Sequence, residues 1–185
     1  MCVIEYRRLR PEEMDKFLEF MDGPAFISQP QWAGCYCQAY LNKPGCSDTP
    51  EENRERAGER IVSGVMQGYL AIDTSTQEAP VVGWMAANKN NNFQSLPATD
   101  ESTATIICIV IQDSYQNQGI ASALLEYGVG DLKSLGFRRI QAAPLASNSH
   151  VDYGYRGKLS MFEKLGFTPM QKVDDKHVLV VKDLS

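Results

Sequence analysis

The chain has 185 residues, which is typical of one domain, and a formal net charge of −5 at pH 7. This acidic balance argues against a nucleic-acid-binding protein, and no apolar run approaches the roughly 18 residues of a membrane span. From the length we expect a single domain over residues 1–185. Because no signal peptide is recognisable and the number of cysteines, five, is odd, we expect the protein in the reducing cytoplasm with free thiols.

The first part of the chain predicts one strand and two helices. Residues 2–9 alternate as in a strand, and residues 11–22 begin with proline and two acids, as a helix often does. A second helix opens at Thr49, or at the aspartate before it. Glu52, three residues after Thr49, is typical of a capping box, and Gly68 is expected to end this helix.

Between the two helices, residues 25–50 are irregular and rich in aromatic residues and cysteine. The spacing of Cys35, Cys37 and Cys46 leaves a metal site and packed free thiols as alternatives. A closed zinc site needs four ligands, and no histidine lies near this segment in the sequence. We therefore expect free thiols and no metal.

The second part of the chain predicts an alternation of strands and helices. Residues 88–100 are a polar insertion, expected to be a mobile surface loop. The whole pattern predicts an α/β (α+β) protein with a mixed, mainly antiparallel sheet of six or seven strands and helices on both faces. The strands are predicted at residues 69–73, 81–87, 105–111, 138–145, 177–181 and near Val173, and the helices at 120–135 and 158–165.

The most informative stretch runs from Thr105 to Phe137. Its first seven residues are apolar and mostly β-branched, as in a strand buried on both faces, and a polar turn and an amphipathic helix follow. The first N–H groups of such a helix are unpaired and suit a phosphate or pyrophosphate. Gly119 and Ala121 leave the main chain open to that anion. An ordinary strand–helix loop is the alternative.

Two motifs resemble the GNAT superfamily of N-acetyltransferases. Gln116-x-x-Gly119-x-Ala121 is similar to the family's Q/R-x-x-G-x-G/A turn, and residues 161–167 are similar to its F-Y-x-K-x-G-F helix ending. The resemblance covers about residues 68–167. It implies the family's fold, acetyl-CoA as cosubstrate, and transfer of the acetyl group to a primary amine by direct attack.

The resemblance also implies which residues bind coenzyme A. The strands at 105–111 and 138–145 would splay apart and take the pantetheine arm between them, with a backbone N–H near Ile109 or Val110 stabilising the oxyanion. Arg156, Lys158 and Lys164 are candidates for phosphate contacts. The residues expected to bind the cofactor are Ile109, Val110, Ile111, Gln116, Asn117, Gln118, Gly119, Ile120, Ala121, Asn148 and Phe162.

The chain departs from the family where a general acid and a general base are expected. Phe162 stands where the family usually has a tyrosine that protonates the leaving thiolate, and phenylalanine has no proton to donate. Thr105 or a near neighbour stands where the family often has a strand glutamate. The candidates for the catalytic roles are therefore Tyr155, Cys108 and Glu101.

These departures leave two functions open, an N-acetyltransferase and a catalytically degenerate acyl-CoA-binding sensor or regulatory module. The acceptor would be a small-molecule or peptide amine; neither a nucleic acid nor a membrane is expected as a partner, and a homodimer is compatible with the family. Residues 25–50 often shape the acceptor pocket in this family. Four aromatic residues are thus candidates for its wall, with core packing as the alternative: Phe26, Trp32, Tyr36 and Tyr40.

Overall fold

The computed structural model describes residues 3–46, 48–146 and 154–184. Within them one seven-stranded sheet has the order β1-β2-β3-β4-β5-β7-β6, in which the pair β4–β5 is parallel and the other pairs are antiparallel. This confirms the predicted mixed, mainly antiparallel sheet. The strands are β1 (Ile4–Arg8), β2 (Gly68–Asp73), β3 (Val81–Lys89), β4 (Thr103–Ile111), β5 (Arg139–Ala142), β6 (Thr168–Lys172) and β7 (Val178–Asp183).

Helices cover both faces of the sheet, as expected. Phe17 of the first α-helix and Ile61 of the third pack into the core on one face, whereas Leu124 of the fourth and Phe162 of the fifth are buried on the other. No helix in the described ranges is long and apolar enough to cross a membrane. The α-helices are α1 (Met14–Asp22), α2 (Gln38–Leu41), α3 (Pro50–Val62), α4 (Ile120–Ser134) and α5 (Leu159–Lys164).

Helix α3 begins at the predicted capping box but ends earlier than predicted. Thr49 Oγ1 accepts a hydrogen bond from the Glu52 N–H at 3.2 Å, and Glu52 Oε2 accepts one from the Thr49 N–H at 2.8 Å. The helix stops at Val62 rather than at Gly68, because Gly64 adopts a left-handed φ of 73°.

The segment 88–100, expected to be a surface loop, begins inside the protein with two buried asparagines, Asn88 and Asn90. Strand β3 continues to Lys89, and the Asn90 side chain that follows is fully buried. Asn90 Oδ1 accepts a hydrogen bond from Thr105 Oγ1 at 2.7 Å, and Asn90 Nδ2 donates to the Pro97 carbonyl at 2.8 Å. A polar sequence is typical of loops, but these bonds allow its asparagines to lie inside the protein.

Strands β4 and β5 separate after a short parallel pairing. They pair only between Thr103–Ile106 and Arg139–Ala142. Beyond this point the chain leaves β4, and the Pro144 carbonyl accepts from the Val178 N–H at 3.1 Å instead. Strand β5 is therefore shorter than the predicted 138–145, and the splay expected from the family resemblance is present.

The opening between the separated strands is occupied by residues Gly154–Lys158, which we call the strap. The N–H of Ile109 in β4 donates to the Tyr155 carbonyl at 2.5 Å. On the other side of the strap, the Leu145 N–H donates to the Gly157 carbonyl at 3.0 Å. The strap thus lies between β4 and the end of the β5 segment.

Candidate active site

The predicted strand–turn–helix stretch lines a cavity of about 320 Å³ on the α4 face of the sheet, which we call the α4-side cavity. Its opposite wall is built from the strap and the start of α5, where Lys158 and Met161 contribute. Most of the predicted cofactor residues line this cavity: Ile109, Ile111, Gln116, Asn117, Gly119, Ile120 and Ala121.

The N-terminus of α4 fits an anion such as pyrophosphate. Gly119 is the N-cap, with a left-handed φ of 80°, and a Cβ added there would meet no atom within 4 Å. The first-turn N–H groups of this 15-residue helix have no acceptor within the helix, and the helix dipole adds positive charge at this end. Lys158 brings a cation to the same cavity. Open space, donors and charge therefore coincide.

Two glutamines of the turn hold its shape. Gln116 Nε2 donates to the Ile111 carbonyl at 3.2 Å and to Asp113 Oδ1 at 3.0 Å, which ties the turn to the end of β4. Gln118 is exposed, donates to the Ser114 carbonyl at 3.0 Å and does not line the cavity. Both glutamines were predicted to bind the cofactor, and of the two only Gln116 lines the α4-side cavity.

Of the two N–H groups predicted as the oxyanion donor, that of Ile109 faces the strap, and that of Val110 faces β3. Successive N–H groups along a strand point to opposite sides, and Val110 pairs with Trp84 of β3. The Ile109 N–H points the other way, into the opening, where the Tyr155 carbonyl accepts it. Ile109 therefore carries the N–H that faces the opening, and in this conformation the strap satisfies it.

A second cavity lies on the opposite face of the sheet. A bulge in β4 changes the register with β3 at Ile107, so that Ile107 and Cys108 both face the core of α1 and α3. Beside them is a cavity of about 350 Å³, which we call the aromatic cavity. Three of the four predicted wall residues line it, whereas Tyr36 is buried and its hydroxyl donates to Asp22 Oδ1 at 2.6 Å. The three are Phe26, Trp32 and Tyr40.

A small cavity of about 80 Å³, which we call the connecting cavity, lies beside Ile109 and Tyr155. It shares Ile109 and Gln116 with the α4-side cavity, and it shares Trp32 and Tyr155 with the aromatic cavity. The connecting cavity is therefore adjacent to both larger cavities. The hydrogen bond from the Ile109 N–H to the Tyr155 carbonyl joins β4 to the strap at this point.

Two tyrosines and an arginine lie close together where the connecting cavity adjoins the aromatic cavity. The hydroxyls of Tyr155 and Tyr40 lie 3.4 Å apart, and Arg156 Nη2 donates to Tyr40 Oη at 2.5 Å. The Tyr155 ring also makes an edge contact with Trp32, with 5.3 Å between centroids. Burial and the hydrogen bond with Tyr155 raise the pKa of Tyr40 to about 12, so its hydroxyl is neutral at physiological pH.

Cys108 belongs to a group of thiols beside the aromatic cavity. The hydrogen bond with the Cys108 thiol, together with burial, raises the pKa of the Cys37 thiol, and Trp84 Nε1 donates to Cys37 Sγ at 3.2 Å. The hydrogen bond with Cys37, together with burial, raises the pKa of Cys35. Thiolate formation at Cys35 and Cys37 is disfavoured. Across the described ranges, no three histidine, cysteine or acidic side chains are placed to hold a metal ion.

Glu101 is not brought to the other candidates. It lies exposed just before β4, where it forms an ion pair with Lys89 and accepts from Asn91 Nδ2 at 2.8 Å. The hydrogen bond with Lys89 lowers the pKa of Glu101. At about 3.3 Å per residue, the part of β4 from Thr103 to Ile109 alone spans roughly 20 Å. This separation excludes proton transfer by Glu101 at the connecting cavity in this conformation.

Phe162, another predicted cofactor residue, does not line the α4-side cavity. Phe162 is fully buried against Phe167, with 5.2 Å between ring centroids, because α5 turns this position into the core. Its neighbour Met161 lines the α4-side cavity instead. Asn148 lies outside the described residues.

The dual role of the strap was not anticipated from the sequence. Gly157 and Lys158 line the α4-side cavity, whereas Tyr155 and Arg156 face cavities on the other side of the sheet. Arg156 was expected at phosphates and lies on the opposite face. A segment between two predicted elements has too few residues for a periodicity to reveal two faces.

A sequence profile described as the Acetyltransferase (GNAT) family matches residues 36–167 of the chain. No curated protein matches the sequence. Among solved structures, a GCN5-related N-acetyltransferase from Kribbella flavida matches with a TM-score of 0.61 and 16% identity over 98% of each chain. An N-acetyltransferase from Staphylococcus aureus Mu50 matches with a TM-score of 0.59 and 17% identity over 99% of each chain.

A third similar structure is the PaiA N-acetyltransferase from Thermoplasma acidophilum, solved in complex with coenzyme A. It has a TM-score of 0.57 and 16% identity, over 98% of this chain and 99% of its own. At such identities these likenesses show the fold, and the profile shows the family. The protein belongs to the GNAT family of acetyltransferases.

Proposed function

We propose that residues 1–185 act as one domain that transfers the acetyl group of acetyl-CoA to a primary amine by direct attack. The observation that carries this proposal is that the connecting cavity beside Ile109 shares lining residues with the α4-side cavity on one face and with the aromatic cavity on the other. A thioester reaching in from one face and an amine from the other would meet beside Ile109. Holding two reactants together in this way supplies much of the rate in such transfers.

The α4-side cavity suits the cofactor. Acetyl-CoA supplies an activated acyl group when bound, and its pyrophosphate is the anion that Gly119, the first-turn N–H groups of α4 and Lys158 would hold. The coenzyme A complex of the Thermoplasma acidophilum relative supports this assignment. The Ile109 N–H would donate to the thioester carbonyl oxygen as negative charge develops there. For this the Tyr155 carbonyl must release the N–H, so cofactor binding includes a displacement of the strap.

We assign to Tyr155 the protonation of the leaving thiolate. Its side chain lines both the connecting and the aromatic cavities, and its hydroxyl carries a proton that it can give to the leaving thiolate. Tyr40 and Arg156 extend the hydrogen-bonded chain behind it. Cys108 lines the aromatic cavity and has no covalent role in a direct transfer.

One observation favours the second candidate, an acyl-CoA-binding sensor or regulatory module. The Ile109 N–H is already bonded to the strap at 2.5 Å, and a domain that keeps this bond has no free oxyanion donor at that position. Such a domain would still bind the cofactor's pyrophosphate at α4. Cofactor binding and acetyl transfer must therefore be measured separately.

Titration of acetyl-CoA into the protein by calorimetry tests the cofactor site. We expect the wild type to bind and Gly119→Glu to abolish binding, because the new carboxylate would face the pyrophosphate and strain the left-handed backbone. Gly136→Glu is the matched control. Gly136 also has a left-handed φ, of 87°, and open space around it, but it lies at the other end of α4.

Mass spectrometry of a panel of primary amines incubated with acetyl-CoA then separates the two functions. Acetylated product supports the enzyme. Binding without product on any amine would assign the regulatory role. Failure of the wild type to bind acetyl-CoA would reject both.

Three further expectations remain part of the proposal. The acceptor is a small-molecule or peptide amine, the location is cytoplasmic, and the assembly is compatible with a homodimer. The location is supported by the free thiols at Cys35, Cys37, Cys46 and Cys108, which suit a reducing compartment.

A further inference from the structure

A third cavity, of about 470 Å³, adjoins the aromatic cavity on the face of the sheet away from α4. Tyr40 and Ile107 line both cavities. The charged residues that line the third cavity are Arg156 and Lys172, and both are basic. We call it the cationic cavity.

The positive charge of these two residues contrasts with the negative net charge of the chain. The sequence has 23 acidic and 18 basic residues, yet no acidic side chain lines this cavity. No carboxylate among residues 3–46, 48–146 and 154–184 forms an ion pair with Arg156 or Lys172. By contrast, Asp48 of the aromatic cavity is paired with Arg56 at 3.0 Å. The cationic cavity therefore lacks a counter-charge from this part of the chain.

Arg156 is held in place rather than extended into solvent. Its guanidinium donates to Tyr40 Oη at 2.5 Å and lies 5.8 Å from the ring centroids of both Tyr40 and Tyr155. A half-buried cation without a counter-ion carries a desolvation cost, which a bound anion removes. A guanidinium presents paired N–H donors that match a carboxylate.

The other polar residues that line the cationic cavity carry no charge. Among them, Thr105 Oγ1 donates to the buried Asn90 Oδ1 at 2.7 Å, and Gln141 Nε2 donates to Asn90 Oδ1 at 2.9 Å and to Thr105 Oγ1 at 3.1 Å. Within the described ranges, no residue that lines this cavity brings a negative charge to balance Arg156 and Lys172. A ligand that bears a carboxylate would supply it.

We propose that the acetyl acceptor is a small amine that also bears a carboxylate, such as an amino acid. Its carboxylate would bind between Arg156 and Lys172, and its amine would reach past Tyr40 toward Tyr155 and Ile109. The inference rests on the proposed acetyltransferase function and adds the substrate class. The aromatic cavity then receives the apolar part of the acceptor.

Matched acceptor pairs test the carboxylate directly. Each common L-amino acid with a primary amine, that is all except proline, is compared with its α-carboxamide, with product measured by mass spectrometry at saturating acetyl-CoA. Each pair shares its side chain and amine and differs in the negative charge. We expect kcat/KM to be at least tenfold higher for the acids that react than for their carboxamides. The amine of the carboxamide is less basic, so a larger fraction of it is unprotonated and able to attack at neutral pH. This difference favours the carboxamide, so a preference for the acid must overcome it.

Variants of Arg156 and Lys172 test whether these two side chains cause the preference for the acid over the carboxamide. We expect Lys172→Gln and Arg156→Gln each to lower the acid-to-carboxamide ratio severalfold toward one, with the KM for acetyl-CoA unchanged, and Arg156→Lys to keep part of the ratio. Arg138→Gln is the control, because this exposed arginine lines neither the cationic nor the aromatic cavity and its loss changes the net charge equally.

The inference is overturned by equal or better use of carboxamides, by transfer only to amines without a carboxylate, or by a ratio that both Gln variants leave unchanged. Binding of acetyl-CoA without transfer to any acid overturns it as well. Calorimetry of acetyl-CoA and the full amine panel distinguish these results from failure of the acetyltransferase proposal itself. Transfer to amines without a carboxylate overturns this inference and keeps the acetyltransferase proposal, whereas no cofactor binding, or binding without product on any amine, rejects both.

Discussion

Tyr155 contributes to the site through two different atoms. Its carbonyl oxygen accepts from the Ile109 N–H at 2.5 Å, and its hydroxyl lies 3.4 Å from that of Tyr40. Removing the hydroxyl leaves the first contact intact. A substitution at this one position can therefore separate catalysis from cofactor binding.

Tyr155→Phe should lower kcat about a hundredfold, because general acid catalysis contributes about 10²–10⁴-fold in enzymes. The KM for acetyl-CoA should change little, since the main chain and the ring remain. Steady-state kinetics with a reacting amine measures both constants. Tyr127→Phe, at an exposed tyrosine of α4, is the control. An unchanged kcat in Tyr155→Phe would remove this residue from the proton-transfer role.

The structure brings the predicted turn residues Gln116 and Gly119 to the α4-side cavity, but it does not bring Glu101 to Tyr155. The turn at Gly119 depends on local backbone geometry, which a short motif contains. The position of Tyr155 depends on a hydrogen bond to β4, which is 46 positions away in sequence and leaves no local pattern. Phe162 matched a motif position, but the rotation of α5 that buries it and exposes Met161 to the cavity is set by tertiary packing.

At the scale of elements, helix α3 connects a local sequence signal to the aromatic cavity. Its Pro50 and Asn53 line the cavity, and Asn53 Nδ2 donates to the Gly34 carbonyl at 2.9 Å. The capping box at Thr49 fixes where this helix starts. The cap therefore positions part of the proposed acceptor pocket.

Thr49→Ala should lower the free energy of unfolding by about 1 kcal/mol, the usual effect of losing an N-cap side chain. Urea unfolding of the wild type and the variant measures the difference. Thr49→Ser keeps the hydroxyl and should restore most of the loss. Equal destabilisation by Ser and Ala would show that the hydroxyl is not the stabilising group.

Element prediction succeeded where one periodicity ran through a whole element. Strand β4 and helix α4 are confirmed close to their predicted bounds. The segment 88–100 was expected to be a surface loop, which is wrong at Asn88 and Asn90, because the bonds of Asn90 to Thr105 and Gln141 join distant parts of the chain. Single-sequence patterns do not contain such contacts.

For the whole molecule, buried tyrosines make stability depend on pH in the alkaline range. Burial and the hydrogen bond with Asp22 raise the pKa of Tyr36 to about 12, and burial and the hydrogen bond with Tyr155 raise that of Tyr40 to about 12. An unfolded tyrosine has a pKa of about 10. The folded state therefore holds these protons more tightly than the unfolded state.

The tyrosine contribution to stability should be fully present below about pH 10 and should be lost as the pH rises toward about 12. Urea midpoints between pH 8 and pH 12 measure this decline. The double variant Tyr36→Phe, Tyr40→Phe should show a shallower decline than the wild type, and Tyr127→Phe should not. A decline of equal slope in all three proteins would contradict the assignment.

The short pairing of β4 with β5 divides the sheet in sequence as well as in space. Strands β1–β4 come from residues before 112 and strands β5–β7 from residues after 138, and four residue pairs join the two groups. Ile109 and Gly119 of the α4-side cavity belong to the first part, and Leu145 and Lys158 to the second. A ligand that fills this cavity would contact both parts of the chain. We therefore expect cofactor binding to stabilise the association of β1–β4 with β5–β7.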